Sequence, residues 1–205
     1  MKKIIILTGI ISLTFLFCSC GRKQSPEEQN YIREVQQYRQ EKNDYMKNNP
    51  TSPFNQDSMI QFEPLKYYDV NPAFVFKSKL YEYPRKDTIT VYGTKGEARK
   101  AVKYGYVTFD YNKKTYKVNV YKGTASNGEE YYSIWFTDRT TGDETYGVGR
   151  YIDFDINPDS NYVYTIDFNL AYNPYCAYSA RYSCAIPTKE DHLDLAVTAG
   201  EKKYH

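Results

Sequence analysis

From about Phe62 onward, the sequence is a succession of short runs rich in Tyr, Val, Phe, Ile and Thr, separated by turn residues. Aromatic and β-branched side chains suit the half-buried surface of a pleated sheet, and Gly, Asn, Asp and Pro between the runs indicate turns. The predicted strands are Ala73–Lys77, Thr88–Tyr92, Val102–Tyr111, Lys114–Tyr121, Tyr131–Phe136, Gly149–Phe154 and Tyr162–Phe168. Short strands joined by turns favour antiparallel pairing.

The turns and the alternation of polarity define the fold class further. Residues 111–115, Tyr-Asn-Lys-Lys-Thr, are typical of a hairpin connection, and Asn127-Gly128 is a second turn signal. Alternation over Tyr116–Tyr121 gives one apolar and one polar face. We therefore predict a mainly β fold, an antiparallel β-sandwich or a partly closed barrel, with one N-terminal α-helix.

The single long helical pattern lies before the predicted strands. Ser25-Pro26-Glu27-Glu28 combines an N-cap residue, a proline at the first helical position and the glutamate of a capping box. Asn48-Asn49-Pro50 ends the pattern. The aromatic and apolar positions between these signals recur at helical spacing, at Tyr31, Val35, Tyr38 and Tyr45. We predict a helix over 25–49 and a β-rich region over 60–205, both within a single domain of residues 25–205.

The first 24 residues have the pattern of a lipoprotein signal. A basic start, Met1-Lys2-Lys3, precedes an uncharged run over residues 4–17 and then Cys18-Ser19-Cys20-Gly21. The run has 14 residues, whereas a membrane-spanning helix needs about 20. We predict a signal peptide over 1–19, lipidation at Cys20 and a linker over 20–24. An ordinary signal peptide and an uncleaved anchor are the alternatives.

The predicted lipid anchor implies a binding partner and a cellular location for the protein. The partner is membrane lipid, bound through acylated Cys20, and the location is the cell envelope. The basic pair Arg22-Lys23 lacks an acidic surface-export signal, which favours the periplasmic face. Without Lys2 and Lys3, the 27 basic residues of the chain become 25, equal to its 25 acidic residues. A nucleic-acid partner is therefore not expected.

The most distinctive motifs occupy two long segments, Phe136–Asp153 and Asp167–Tyr178. Matching positions elsewhere are Cys184, Pro187, Glu190, Leu193 and Ala199-Gly200-Glu201, with Ser52-Pro53-Phe54, Phe62, Leu65 and Tyr67-Tyr68 upstream. In these residues the chain resembles the family catalogued as domain of unknown function 1684. It departs from the family's Cys-Pro-Leu-Pro-Pro at Cys184–Thr188. The resemblance implies a shared fold and a shared polar cluster, and it implies no reaction.

The two motif segments also supply a candidate ligand-binding site. Arg150 could pair bidentately with a carboxylate or phosphate of a ligand, because its planar donors form a fork. The alternative is an ion pair between Arg150 and an aspartate of the chain, with asparagines capping turns. The predicted site residues are Asp138, Thr141, Glu144, Tyr146, Arg150, Asp167, Asn169 and Asn173.

Cys176 and Cys184 are the cysteines that remain after the predicted anchor. In an oxidising compartment they are candidates for a disulfide, and a pair of free thiols is the alternative. Zinc would need ligands beyond these two thiols. The acidic run Asp153–Asp159 fails as a calcium loop, because Pro158 stands where glycine is required. We predict no metal site and no cofactor.

Three functions remain open at this point. The first is a membrane-anchored lipoprotein whose β domain binds a small-molecule or glycan ligand or a partner. The second is a hydrolase acting on envelope or imported polysaccharide through a carboxylate pair such as Asp138 and Asp167. The third is a purely structural lipoprotein. The sequence carries no recognisable catalytic motif, which favours a protein that is not an enzyme, and it leaves the oligomeric state open.

Overall fold

The computed structural model of the chain describes residues 24–58, 60–125 and 128–205. The predicted signal peptide over 1–19 and the lipidation site Cys20 lie outside the described residues. In the described part of the chain, no helix has both the length and the apolar character needed to cross a membrane.

Helix α1 spans Pro26–Asn48, and it begins with the capping box that the sequence predicts. The Ser25 hydroxyl accepts a hydrogen bond from the Glu28 amide at 3.1 Å, and the Glu28 carboxylate accepts one from the Ser25 amide at 2.9 Å. These two bonds satisfy amides that a helix otherwise leaves without partners at its N-terminus. The predicted helix is confirmed, with bounds that differ by one residue at each end.

The described residues form nine strands: β1 Val75–Lys79, β2 Tyr81–Glu82, β3 Thr88–Tyr92, β4 Ala98–Tyr111, β5 Lys114–Thr124, β6 Glu130–Asp138, β7 Arg150–Asp153, β8 Val163–Asp167 and β9 His192–Leu193. Each of the seven predicted runs overlaps a strand. Strands β2 and β9 were not predicted, because a strand of two residues is too short to show alternation.

The strands build a large sheet and a small one. The large sheet has the order β2-β4-β5-β6-β7, with β3 also pairing with β4 and β9 pairing with β6, and the small sheet is β1-β8. All of these pairings are antiparallel apart from β6 with β9, which is parallel. The mainly β, antiparallel prediction is confirmed, and the described strands do not close into a barrel.

Aromatic side chains pack the small sheet against the large one. The rings of Phe76 in β1 and Phe109 in β4 stack with centroids 4.4 Å apart. Phe168, which follows β8 and is fully buried, meets Phe109 and Phe136 edge to face at 5.2 Å. Edge-to-face and offset pairs are the favourable ring arrangements in a core. The core therefore lies between the two sheets.

The C-terminal segment, residues 194–205, closes this core without forming a strand. Val197 and Ala199 are fully buried. The Glu201 amide donates to the Ala171 carbonyl at 2.8 Å, and the Tyr68 amide donates to the Gly200 carbonyl at 3.0 Å. The segment is therefore held between the residues before β1 and those after β8.

Gly200 and Gly142 provide a matched test of this packing. Both have a left-handed φ, +77° at Gly200 and +90° at Gly142. A Cβ at Gly200 would lie 2.6 Å from the Phe168 carbonyl oxygen, whereas a Cβ at Gly142 would meet nothing within 4 Å. We expect Gly142→Ala to lower the free energy of unfolding by about 1 kcal/mol through backbone strain, and Gly200→Ala to lower it clearly more. Urea denaturation measures both, and equal losses would contradict the tight packing at Gly200.

Candidate functional site

Arg150 lies at the start of β7 and is fully buried. Its Nη2 donates to Asp138 Oδ2 at 2.8 Å and to the Val197 carbonyl at 2.9 Å. Its Nη1 donates to the carbonyls of Ala199 and Glu201. The guanidinium thus joins the large sheet to the C-terminal segment, and we refer to these five residues as the buried arginine network.

Both oxygens of the Asp138 carboxylate accept hydrogen bonds from groups of the protein. Its Oδ1 accepts from the Thr140 amide at 2.7 Å and from the Thr140 hydroxyl at 2.6 Å. The Thr141 hydroxyl accepts from the Asp138 amide at 2.9 Å. A buried charge is tolerated where it is paired and hydrogen-bonded, as here. The geometry matches the ion-pair alternative, because the fork of Arg150 is occupied by groups of the chain itself.

Asp167 and Asn169 form a second group, which connects α1 to the end of β8. Asp167 Oδ2 accepts from the Tyr31 hydroxyl at 2.8 Å, and Asp167 Oδ1 accepts from the Asn169 amide at 2.8 Å. Asn169 Oδ1 accepts from the Asn71 amide at 2.7 Å. Burial, together with the Asp167 charge, raises the pKa of the Tyr31 hydroxyl. These bonds position the helix on the sheet.

Asn173 belongs to a third group, centred on the buried carboxylate of Glu201. Asn173 Nδ2 donates to Glu201 Oε1 at 2.9 Å, and the Tyr178 hydroxyl donates to the same oxygen. Lys42 Nζ of α1 lies 3.4 Å from Glu201 Oε2. The sequence prediction included neither Glu201 nor Lys42 among the site residues. Glu201 appears in the motif Ala199-Gly200-Glu201, whereas Lys42 carries no sequence signal of its own.

The remaining predicted site residues lie apart from these groups. Glu144 is exposed and lies 3.8 Å from Lys202 Nζ. Tyr146 donates its hydroxyl to the Cys176 carbonyl at 3.1 Å. The eight predicted residues are therefore spread over several polar groups, and none of them lines the cleft described next.

A cleft of about 600 Å³ opens between α1, the β6–β7 side of the large sheet and residues 172–185. Its most frequent lining residue is tyrosine, and we call it the tyrosine cleft. The tyrosines that line it are Tyr38, Tyr45, Tyr131, Tyr151, Tyr172, Tyr175 and Tyr182. No sequence pattern groups these seven residues, because they come from several elements and tyrosine is common on sheets.

Several of these rings are fixed by their own hydroxyl groups. The Tyr172 hydroxyl donates to Asp153 Oδ1 at 2.6 Å, and the Tyr151 hydroxyl donates to the Ala185 carbonyl. The rings of Tyr175 and Tyr182 meet edge to face at 5.2 Å. Tyr45 remains 38% exposed, so its ring is accessible to solvent. The cleft therefore presents ring surfaces that are already oriented.

Lys42 supplies a recessed positive charge to this cleft. Its side chain is only 13% exposed, and Nζ lies 4.3 Å from the centre of the Tyr172 ring. Burial lowers the pKa of the Lys42 ammonium, and the Glu201 carboxylate opposes this effect. At the rim, Arg99 is paired with Glu97 at 2.6 Å. Lys42 is therefore the recessed cation of the cleft, and it is paired with Glu201 as Arg99 is with Glu97. Glu41 is the acidic residue of the lining.

Cys184 lines the cleft, and Cys176 is its neighbour. Both are free thiols, and the Cys176 amide donates to Cys184 Sγ at 3.3 Å. A hydrogen bond from Cys184, assisted by Tyr146, lowers the pKa of Cys176 to about 6. Cys176 and Cys184 therefore lie side by side. The disulfide between them remains a prediction from the sequence.

Replacing Arg150 tests whether the buried arginine network is structural. Arg150→Met leaves Asp138 Oδ2 and three carbonyl groups without the donor that Arg150 supplies, and we expect a loss of about 3–5 kcal/mol in the free energy of unfolding. Arg139→Met is the matched control, because the pair Arg139–Asp194 is exposed, and it should cost less than about 1 kcal/mol. Urea denaturation distinguishes the two variants. A small, equal loss in both would show that the network does not stabilise the fold.

Solved structures provide one comparison. The chain is similar to the solution NMR structure of an uncharacterized protein from Haloarcula marismortui, with 26% sequence identity and a TM-score of 0.62. The alignment covers 86% of this chain and 96% of the Haloarcula chain. A search of curated proteins gave no significant match. The similarity supports the architecture described above.

A family model provides the second comparison. The model described as protein of unknown function (DUF1684) matches residues 60–202. This range includes β1 to β9, the buried arginine network and most of the tyrosine cleft, whereas α1 precedes it. The family resemblance seen in the sequence is confirmed. The chain belongs to the DUF1684 family of proteins of unknown function.

Proposed function

We propose that this domain binds a small ligand in the tyrosine cleft, and that the ligand combines a ring with a negatively charged group. The observation that carries the proposal is the arrangement of seven tyrosines and a recessed lysine around about 600 Å³ of open space. Ligand sites are typically clefts of about 300–1,000 Å³, mostly apolar, with a few well-placed polar groups. The cleft has this size and this composition.

The tyrosines support a ligand with a ring. Tyrosine offers a large flat surface that loses little conformational entropy on binding, and its hydroxyl can contact the polar edge of a sugar or an aromatic compound. Because Tyr151 and Tyr172 already donate hydrogen bonds to the protein, their rings need no further ordering when a ligand enters. Such preorganisation increases affinity.

Lys42 supports a negatively charged group on the ligand. Its ammonium has three N–H donors, and within the described residues Glu201 is the hydrogen-bond acceptor that it contacts. A carboxylate or sulfate in the cleft could accept from a second N–H. The interaction would be strong, because Lys42 is shielded from water.

The residues that line the cleft fit ligand binding better than they fit polysaccharide hydrolysis. From the sequence, Asp138 and Asp167 are the candidates for general acid and general base. Both carboxylates are buried and hydrogen-bonded to the protein. Among the residues that line the cleft, Glu41 is the carboxylate, and glycoside hydrolysis by the common mechanisms needs two.

We also propose that the domain is held in the cell envelope by a lipid on Cys20, on the periplasmic face. The support is the signal pattern of residues 1–21. Helix α1 begins at Pro26, and six extended residues span only about 20 Å. The tether would therefore keep the start of α1 near the membrane surface.

Tyr45 and Tyr81 give a matched pair for testing the cleft. Tyr45 lines the cleft and is 38% exposed, whereas Tyr81 lies in β2 outside the cleft and is 46% exposed. We expect Tyr45→Ala to weaken binding of phenyl glucuronide about tenfold and Tyr81→Ala to leave it unchanged. Isothermal titration calorimetry with millimolar ligand measures the affinities.

A neutral analogue tests the role of the negative charge in the same experiment. Phenyl glucoside differs from phenyl glucuronide in lacking the carboxylate, and it should bind about tenfold more weakly, since one charge-assisted hydrogen bond is lost. If the wild-type protein binds neither compound, or if both tyrosine variants lose affinity equally, the proposed site is contradicted.

Incorporation of labelled palmitate in cells tests the anchor. We expect Cys20→Ala to abolish the label, because the acceptor thiol is removed. Cys18→Ala should retain it, since Cys18 leaves with the signal peptide. Label that survives the Cys20 substitution would contradict lipidation at this residue.

A further inference from the structure

The wall of the tyrosine cleft contains one cysteine, Cys184, and a second cysteine, Cys176, lies beside it. Cys176 and Cys184 are both partly exposed, and Cys184 lines the cleft. The Cys176 amide donates to Cys184 Sγ at 3.3 Å. Two thiols are thus adjacent to each other beside an open cavity that small molecules can enter.

The surroundings of Cys176 make it the more reactive of the two thiols. The Tyr146 hydroxyl lies 3.7 Å from Cys176 Sγ, and its one hydrogen is shared between this sulfur and the Cys176 carbonyl at 3.1 Å. Hydrogen bonds to a sulfur favour the thiolate, which is the form that attacks disulfides. The hydrogen bond with the neighbouring Cys176 raises the pKa of Cys184, and burial raises it further. The pair therefore combines an attacking thiol with a second thiol that can resolve a mixed disulfide.

The residues between Cys176 and Cys184 form part of the cleft wall. Tyr182 lies within this loop, and Tyr175 immediately precedes it. Outside the loop, Lys95 Nζ donates to the Arg181 carbonyl at 2.9 Å, and Arg99 Nη2 donates to the Ser183 carbonyl at 2.8 Å. Ala177, Tyr178 and Ser179 of the loop are buried. The two donors belong to exposed side chains, so residues 180–183 are the more weakly held part of the loop. A covalent bond between its ends would restrict the two tyrosines further.

We propose that Cys176 and Cys184 are a thiol–disulfide exchange site, and that closing their disulfide increases the affinity of the tyrosine cleft. The oxidant is a small disulfide of the glutathione class. The Cys176 thiolate attacks one sulfur of this disulfide and releases the first thiol. The Cys184 thiol then passes its proton to the thiolate released in the first step, and its sulfur attacks the Cys176 sulfur and releases the second thiol. Two protein thiols and one external disulfide become one protein disulfide and two free thiols.

This inference rests on the proposed function of the cleft, because affinity is its readout. Fixing the loop lowers the conformational entropy that Tyr175 and Tyr182 lose when a ligand binds. We expect phenyl glucuronide to bind about threefold to tenfold more tightly to the oxidised protein than to the reduced protein. Dithiothreitol should restore the lower affinity.

The experiment compares the purified protein treated with oxidised glutathione or with dithiothreitol. Mass spectrometry of proteolytic peptides identifies a bond between Cys176 and Cys184, and calorimetry with phenyl glucuronide gives the affinity of each form. Cys184→Ser serves as the control. It should retain glutathione as a mixed disulfide on Cys176, and its affinity should not rise to that of the oxidised wild type.

The outcomes separate this inference from the proposed function. A Cys176–Cys184 disulfide with tighter binding supports both. Failure to form the disulfide overturns the exchange site. Equal affinities of the oxidised and reduced forms overturn the control of affinity by the disulfide. Either result leaves the proposed ligand site standing. If the disulfide forms but neither form binds the probe, the proposed function fails, and the control of affinity fails with it.

Discussion

The buried guanidinium of Arg150 joins the large sheet to the C-terminal segment. Residues 194–205 form no strand, so their backbone carbonyls need donors other than a sheet neighbour. Arg150 donates to the carbonyls of Val197, Ala199 and Glu201, and its charge is balanced by Asp138. A single side chain therefore makes an irregular segment part of the core, and removing one member leaves buried groups unpaired.

The position of this segment determines what the cleft can offer. Fixing the backbone at Glu201 places its carboxylate beside Asn173 and Lys42. Lys42 in turn lies between that carboxylate and the ring of Tyr172, at the cleft. The polar residues in the core and the tyrosines in the cleft thus have separate roles. The first group stabilises the fold, and in our proposal the second group contacts the ligand.

Most of the regular structure could be predicted from the sequence, because local signals specify it. The capping box at Ser25 and the alternation over Tyr116–Tyr121 depend only on neighbouring residues. Asp138 and Arg150 were recognised as a cluster, but their burial depends on a segment about 50 residues further along the chain. The cleft could not be predicted, since Tyr38 in α1 and Tyr151 in β7 come together only through the tertiary fold.

The most direct measurement of the central claim is a two-dimensional NMR titration of the protein with phenyl glucuronide. We expect chemical-shift changes at Tyr45, Tyr131 and Lys42 around the cleft, and none at Thr140 or Val197 beside the buried arginine. Changes confined to residues 138–150, with the cleft signals unaffected, would contradict this claim. In that case the polar residues of the core, rather than the tyrosine cleft, would be the binding site.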